Sequence, residues 1–157
     1  MIWKRLFGNQ SKPAGPPAQP DQGDPMADWQ PENPLEEAMG NVPQSADAAA
    51  DFARLLLDST VMLAVPPHDR PEGERELPQA EKFDIFLIDD GGGGATAAMF
   101  TSERRVAEAF GEGTRYIAMD GRAALTAVAD IGVVINPGPV GLYLKYGPET
   151  IARILAL

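Results

Sequence analysis

The chain has 157 residues, enough for one domain of ordinary size plus a tail, and carries 13 basic against 23 acidic residues. With no cysteine and a single histidine, His68, it cannot build a disulfide scaffold, a thiolate zinc site, an iron–sulfur cluster or a thiol nucleophile. The first twelve residues hold three bases and no acid, whereas Glu32 to Leu157 holds 20 acids against 10 bases; that anionic body argues against nucleic acid as a partner, because phosphate-backbone binding needs a basic surface.

The chain opens on Ile2-Trp3-Lys4-Arg5-Leu6-Phe7, a basic pair among large apolar residues. It lacks the apolar core of a secretory signal, and the longest apolar runs fall far short of the roughly 20 residues that cross a bilayer, so a cytoplasmic setting is expected. From Ser11 to Pro34 the chain is dense in Pro, Gln, Gly and Asp, a composition that buries too little surface to offset its ordering entropy. Residues 1–31 are therefore read as a disordered tail and residues 32–157 as the domain.

Within the domain, Ser45 caps a helix reaching about Ser59, with Phe52, Leu55 and Leu56 on one face and Asp47, Asp51 and Arg54 on the other. Thr60 to Val65 is a β-rich run ended by Pro66-Pro67, and a polar Pro/Glu loop continues to Glu81. Phe83–Ile88 and Ala95–Phe100 form a hairpin around Asp89 to Gly94, whose glycines tolerate a sharp reversal. Ser102 caps a helix with Val106, Ala107 and Phe110 inward, stopped by Gly111. A strand over Arg115–Met119, a helix over Gly121–Ala129 and a buried strand over Gly132–Ile135 follow. Asn136-Pro137-Gly138 breaks that strand before a further one over Val140–Leu144, and Pro148 opens a last helix burying Ile151, Ile154 and Leu155. Hairpins joined by helical crossovers indicate an α/β fold of the α+β kind: a mixed sheet of about six strands with helices packed on it.

Few residues invite chemistry. The Gly91–Gly94 run lacks the Lys and Ser/Thr that a phosphate loop places at a helix start, and Asp89 with Asp90 supplies too few fixed oxygens for a cation. His68 stands in a Pro/Glu loop with no support for a nucleophile–base pair, and Glu32, Glu36 and Glu37 read as dipole partners at a helix start. No catalytic residue, cofactor site or metal site is expected. Two surfaces remain as partner-binding candidates. One is the Asn136-Pro137-Gly138 turn with Tyr143, since α/β sheets present ligand sites beyond their strand ends. The other is the Ile2–Phe7 segment, whose apolar surface suits a protein groove or a transient membrane-surface contact.

The chain also resembles the N-terminal domain of the SseB family, named for an enhanced serine sensitivity protein of bacteria. The likeness is carried by Asn33-Pro-Leu-Glu36 before a helix, by Phe100-Thr-Ser-Glu-Arg104 with Phe110, and by Val133-Val-Ile-Asn-Pro-Gly138 with Gly141 and Leu142, and it covers nearly all of Glu32 to Leu157. The resemblance implies a fold, a bacterial cytosolic setting and a link to serine sensitivity; it implies no catalytic residue. The expected function is thus a non-catalytic protein-binding or adaptor module. The alternative is a small hydrolytic or amino-acid-metabolism enzyme using Asp, Glu, Ser or Tyr in a pocket, which a deep cleft of converging polar groups would mark.

Overall fold

The computed structural model describes the backbone of residues 2–3 and all of residues 29–66, 84–89, 94–138 and 142–157. Its strands are β1 (Ile2–Trp3), β2 (Thr60–Ala64), β3 (Leu87–Asp89), β4 (Ala95–Phe100), β5 (Tyr116–Asp120), β6 (Val133–Ile135) and β7 (Leu144–Tyr146). Its helices are α1 (Pro34–Asn41), α2 (Ala46–Asp58), α3 (Glu103–Phe110), α4 (Gly121–Ala127) and α5 (Pro148–Leu155). One mixed sheet gathers all seven strands, and since β1 has only two residues, six strands form its body as the turn pattern predicts.

β4 is the centre of the sheet. It runs parallel to β6 on one side and antiparallel to β2 and β3 on the other; β5 lies outside β2, and β7 outside β6. β2 and β3 share one line along β4. Leu63 stands opposite Met99 and Leu87 opposite Ala97, so Ala64 and Leu87 occupy consecutive rungs. The chain leaves that line after Ala64 and rejoins it in register at Leu87, with the Phe86 N–H donating to Ala64 O at 3.0 Å. The sequence reads these as two independent strands, because an excursion within one line leaves no local mark.

The caps follow the sequence. Asn33, Ser45, Ser102 and Asp120 each accept a backbone N–H from the first turn of the helix they precede, filling donors that a helix start leaves unpaired. Pro148 stands at the first position of α5, where its missing N–H costs nothing.

Both faces of β4 are buried. On one, Ala97 and Met99 join Val61, Leu63, Val133 and Ile135 beneath α1, α2, α4 and α5, with Phe52, Leu56, Leu125 and Ile151 as the large buried side chains. On the other, Ala98 and Phe100 meet Val106 and Ala109 of α3, where Phe110 stacks on Phe86 at 5.2 Å and meets Phe100 edge-on at 5.5 Å. The small residues Ala97 and Ala98 let helices approach on both sides, as their size suggests.

Some details differ from the pattern reading. On α2, Leu57 is buried and Leu55 only half-buried; on α3, Ala109 rather than Ala107 is the fully buried alanine. α4 stops at Ala127, and β7 begins at Leu144 where the sequence predicts a strand ending there. On the helices packing decides, because a helical period allows shifts of a residue or two, and β7 starts at Leu144 rather than Val140, where Leu144 pairs with Ile135. The expected hairpin tip at Asp90–Gly93 and His68 lie outside the described residues.

Candidate functional site

Three distant segments converge where the parallel strands β4 and β6 end. Thr101 follows β4 directly, Asn136 follows β6, and α1 brings Glu36 over both. The Asn136 N–H donates to Met99 O at 2.8 Å, extending the β4–β6 pairing by one step. Asn136 then takes φ +52°, the left-handed conformation, and ends the strand.

Its side chain explains why the position suits asparagine. The Oδ1 atom accepts the Thr101 N–H at 3.0 Å, and the Nδ2 group donates to Thr101 Oγ1 at 2.8 Å. Asn33, the cap of α1, reaches the same loop by donating its amide to Thr101 O at 3.1 Å. The turn is thereby tied to both β4 and α1. Replacing Asn136 with alanine removes the amide bonds and keeps a β-carbon in a left-handed backbone without the polar side chain that favours it there, for an expected loss of about 2–4 kcal/mol. Glycine loses the same bonds but also removes the β-carbon that the left-handed backbone crowds, so Asn136→Gly should retain about 1 kcal/mol more stability in chemical denaturation than Asn136→Ala; equal losses would show that backbone strain plays no part.

Glu36 is the buried centre of the site, with 0% of its surface exposed. All four of its lone pairs are engaged. Oε1 accepts the Thr101 hydroxyl at 2.5 Å and Arg105 Nε at 3.0 Å, while Oε2 accepts Arg105 Nη2 at 2.9 Å and the Glu32 N–H at 2.9 Å. Burial by itself would raise this carboxyl, but the donors from Arg105, Thr101 and the Glu32 backbone, with the arginine charge, outweigh it and hold the group below its ordinary value. A carboxylate bound in this way anchors structure, and a proton can reach it only by displacing one of these donors.

Arg105 is the complementary half. Besides its two contacts with Glu36, it donates Nη2 to Gln30 O at 2.8 Å and Nη1 to Glu108 at 2.9 Å, and its guanidinium lies 6.0 Å from the Trp29 ring centre. Its pKa is raised, chiefly by the hydrogen bonds to Glu36, so it stays charged. Outside it, Arg104 bridges Glu32 at 2.7 Å and Glu108 at 2.9 Å in an exposed layer. Exposed pairs of that kind add little to stability.

The candidate residues fall into separate groups. Asn136 and Pro137 are buried, Gly138 is half-buried, and Tyr143 is 59% exposed. Ile135 pairs with Leu144 at the last rung of the β6–β7 ladder, so Asn136, which follows one, and Tyr143, which precedes the other, leave the ladder at the same end. Ile2 and Trp3 form β1 beside β3, and Lys4, Arg5, Leu6 and Phe7 lie outside the described residues. Pattern reading overlooks the Glu36–Arg105 pair and Trp29. A signal existed: Glu36 stands beside Leu35 and one turn before Met39 on the buried side of α1, and Arg105 stands beside Val106 and one turn before Ala109 on that of α3. Charges on apolar faces imply paired burial.

Among the described residues no group of three or more His, Cys, Asp or Glu side chains is set to hold a metal ion, and no helix is long and apolar enough to cross a membrane. The family model described as SseB protein N-terminal domain matches residues 35–149. No curated relative and no solved structure matches the chain. The matched span contains the three converging segments except for Asn33 and Pro34.

Proposed function

The chain belongs to the SseB family through its N-terminal-type domain, and on that footing we propose that it is a non-catalytic protein-binding or adaptor module of the cytoplasm, with its contact surface at the Asn136-Pro137-Gly138 turn and Tyr143. The observation that carries this reading is the exposed Tyr143 ring at the same end of the β6–β7 ladder as a turn tied by buried Asn136 hydrogen bonds. A rigid turn presenting an exposed aromatic loses little freedom on binding, and tyrosine combines apolar area with a hydroxyl that can bond across an interface. The polar groups beneath it support the same reading, since Glu36 and Asn136 are committed to holding Thr101 and Arg105.

The partner is read as a protein, and the link to serine sensitivity would run through it. Tyr143→Ala should leave thermal stability within about 0.5 kcal/mol, because the ring is exposed, while reducing partner capture from cytosol at least tenfold, about 1.4 kcal/mol. A photo-crosslinking residue at position 143 should form an adduct with that partner, and one at exposed Thr126 should not. Undiminished capture by Tyr143→Ala would rule out this surface. The Ile2–Phe7 segment is a tethered second contact in this reading, for a protein groove or transiently for a membrane surface.

A further inference from the structure

The outer edge of β3 holds an occupant whose sequence suggests a second docking site. Ile2 and Trp3 run parallel to β3, opposite Leu87 and Ile88. Two residues make a short strand, and so short a pairing is weak enough to be displaced.

The direction of the backbone groups on β3 follows from the ladder. The Ala97 N–H donates to Gly132 O, on the β6 side of β4. Leu87, which faces Ala97, is therefore in a non-bonded pair with β4 and turns its N–H and C=O to the outer edge, as does Asp89 two residues on. A parallel neighbour in the observed register addresses those groups through Trp3, whose N–H meets Leu87 C=O and whose C=O meets the Asp89 N–H.

Charge is complementary. β3 lies in the sequence between Asp84 and Asp90 and includes Asp89, within a body of 20 acids and 10 bases, whereas Trp3 is followed by Lys4 and Arg5. We propose that the outer edge of β3 is a strand-docking site for an extended basic–apolar peptide segment of a partner protein, and that the chain's own N-terminal segment is its resident, displaceable ligand. Backbone bonds to Leu87 and Asp89 supply a generic affinity, and the basic residues select by charge. The resident lowers the partner's apparent affinity by the fraction of time the edge is covered. This site is separate from the Asn136 surface and does not depend on it.

The test uses the full chain and its Trp3→Pro variant, because proline deletes the N–H that meets Leu87. The probe is a labelled synthetic peptide with the sequence of residues 2–10, followed by fluorescence anisotropy at low salt. The variant should bind it at least tenfold more tightly than the unaltered chain. In hydrogen exchange the Asp89 amide should open at least tenfold faster in the variant and slow again when peptide is added, while the Ile88 amide, which faces β4, stays unchanged. A peptide with Glu in place of Lys4 and Arg5 should bind at least tenfold more weakly. No binding to the variant, or equal affinity for both proteins, overturns the proposal. So does a Tyr143→Ala chain that loses the peptide, since the peptide would then be reading the other surface.

Discussion

Glu36→Gln is expected to cost about 3–5 kcal/mol and to lower the melting temperature by roughly 10 °C or more, because it leaves the buried side of Arg105 facing a neutral amide. The side chains of the pair are 10% and 0% exposed, so water cannot repair the loss. Glutamine keeps the volume but turns one oxygen into an NH2 group, set either against the Thr101 hydroxyl and Arg105 Nε or against Arg105 Nη2 and the Glu32 N–H. The exposed Arg105–Glu108 contact gives the comparison: Glu108, 41% exposed, should lose no more than about 0.5 kcal/mol on conversion to glutamine.

The same pair sets a pH dependence. The Glu36 carboxyl lies below its ordinary value in the folded state, so the unfolded chain binds its proton first as pH falls. The stabilisation is complete above the ordinary glutamate range, about 4.3, and is lost as pH drops from there through the folded value. Urea titrations at stepped pH should show the wild type converging on Glu36→Gln below about pH 4. A constant gap between the two down to acid unfolding would show that the carboxylate charge is not what Arg105 requires.

Gly121→Ala carries the second large effect. A β-carbon built at Gly121 falls 1.8 Å from Leu56 O and 2.8 Å from Leu56 C, both backbone atoms of α2, so no side-chain rotation can relieve the clash. Gly121 is the first residue of α4, and its N–H donates to Ser59 O at 2.8 Å, which fixes α4 against the end of α2. The expected cost is about 3 kcal/mol or more, at or beyond the upper end of ordinary overpacking, since helix must move from helix. Gly147→Ala should change stability by less than about 0.5 kcal/mol, because a β-carbon there would meet nothing within 4 Å and the backbone is ordinary. Comparable losses at the two glycines would mean that α2 and α4 do not approach as closely as Gly121 indicates.

The sites of both effects read plainly in the sequence as local features only. Gly121 begins a predicted helix, and Glu36 follows a cap; nothing nearby in sequence says that one touches a carbonyl 65 residues earlier or that the other meets Arg105, 69 residues on. Asn136 illustrates the intermediate case. Its preference for positive φ marks the turn from sequence alone, yet the partner of its amide, Thr101, is 35 residues away. Spacing alone does not separate Tyr143 from Tyr146, but the fold divides them: Tyr143 is exposed, whereas burial pushes the Tyr146 phenol up to about 12.

Helix starts, punctuation by Gly and Pro, the mixed α and β content and the anionic body are all legible in the chain before it folds, because caps, turns and hydrophobic periods are written within a few residues of where they act. Other features exist only once the domain has assembled: the strand line left at Ala64 and rejoined at Leu87, Glu36 as an anchor rather than a solvated charge at a helix start, and Asn136 with its amide inward while Tyr143 faces out. Each of those depends on which residues meet across long stretches of chain, and pairing of that kind is settled by sheet register and helix packing together.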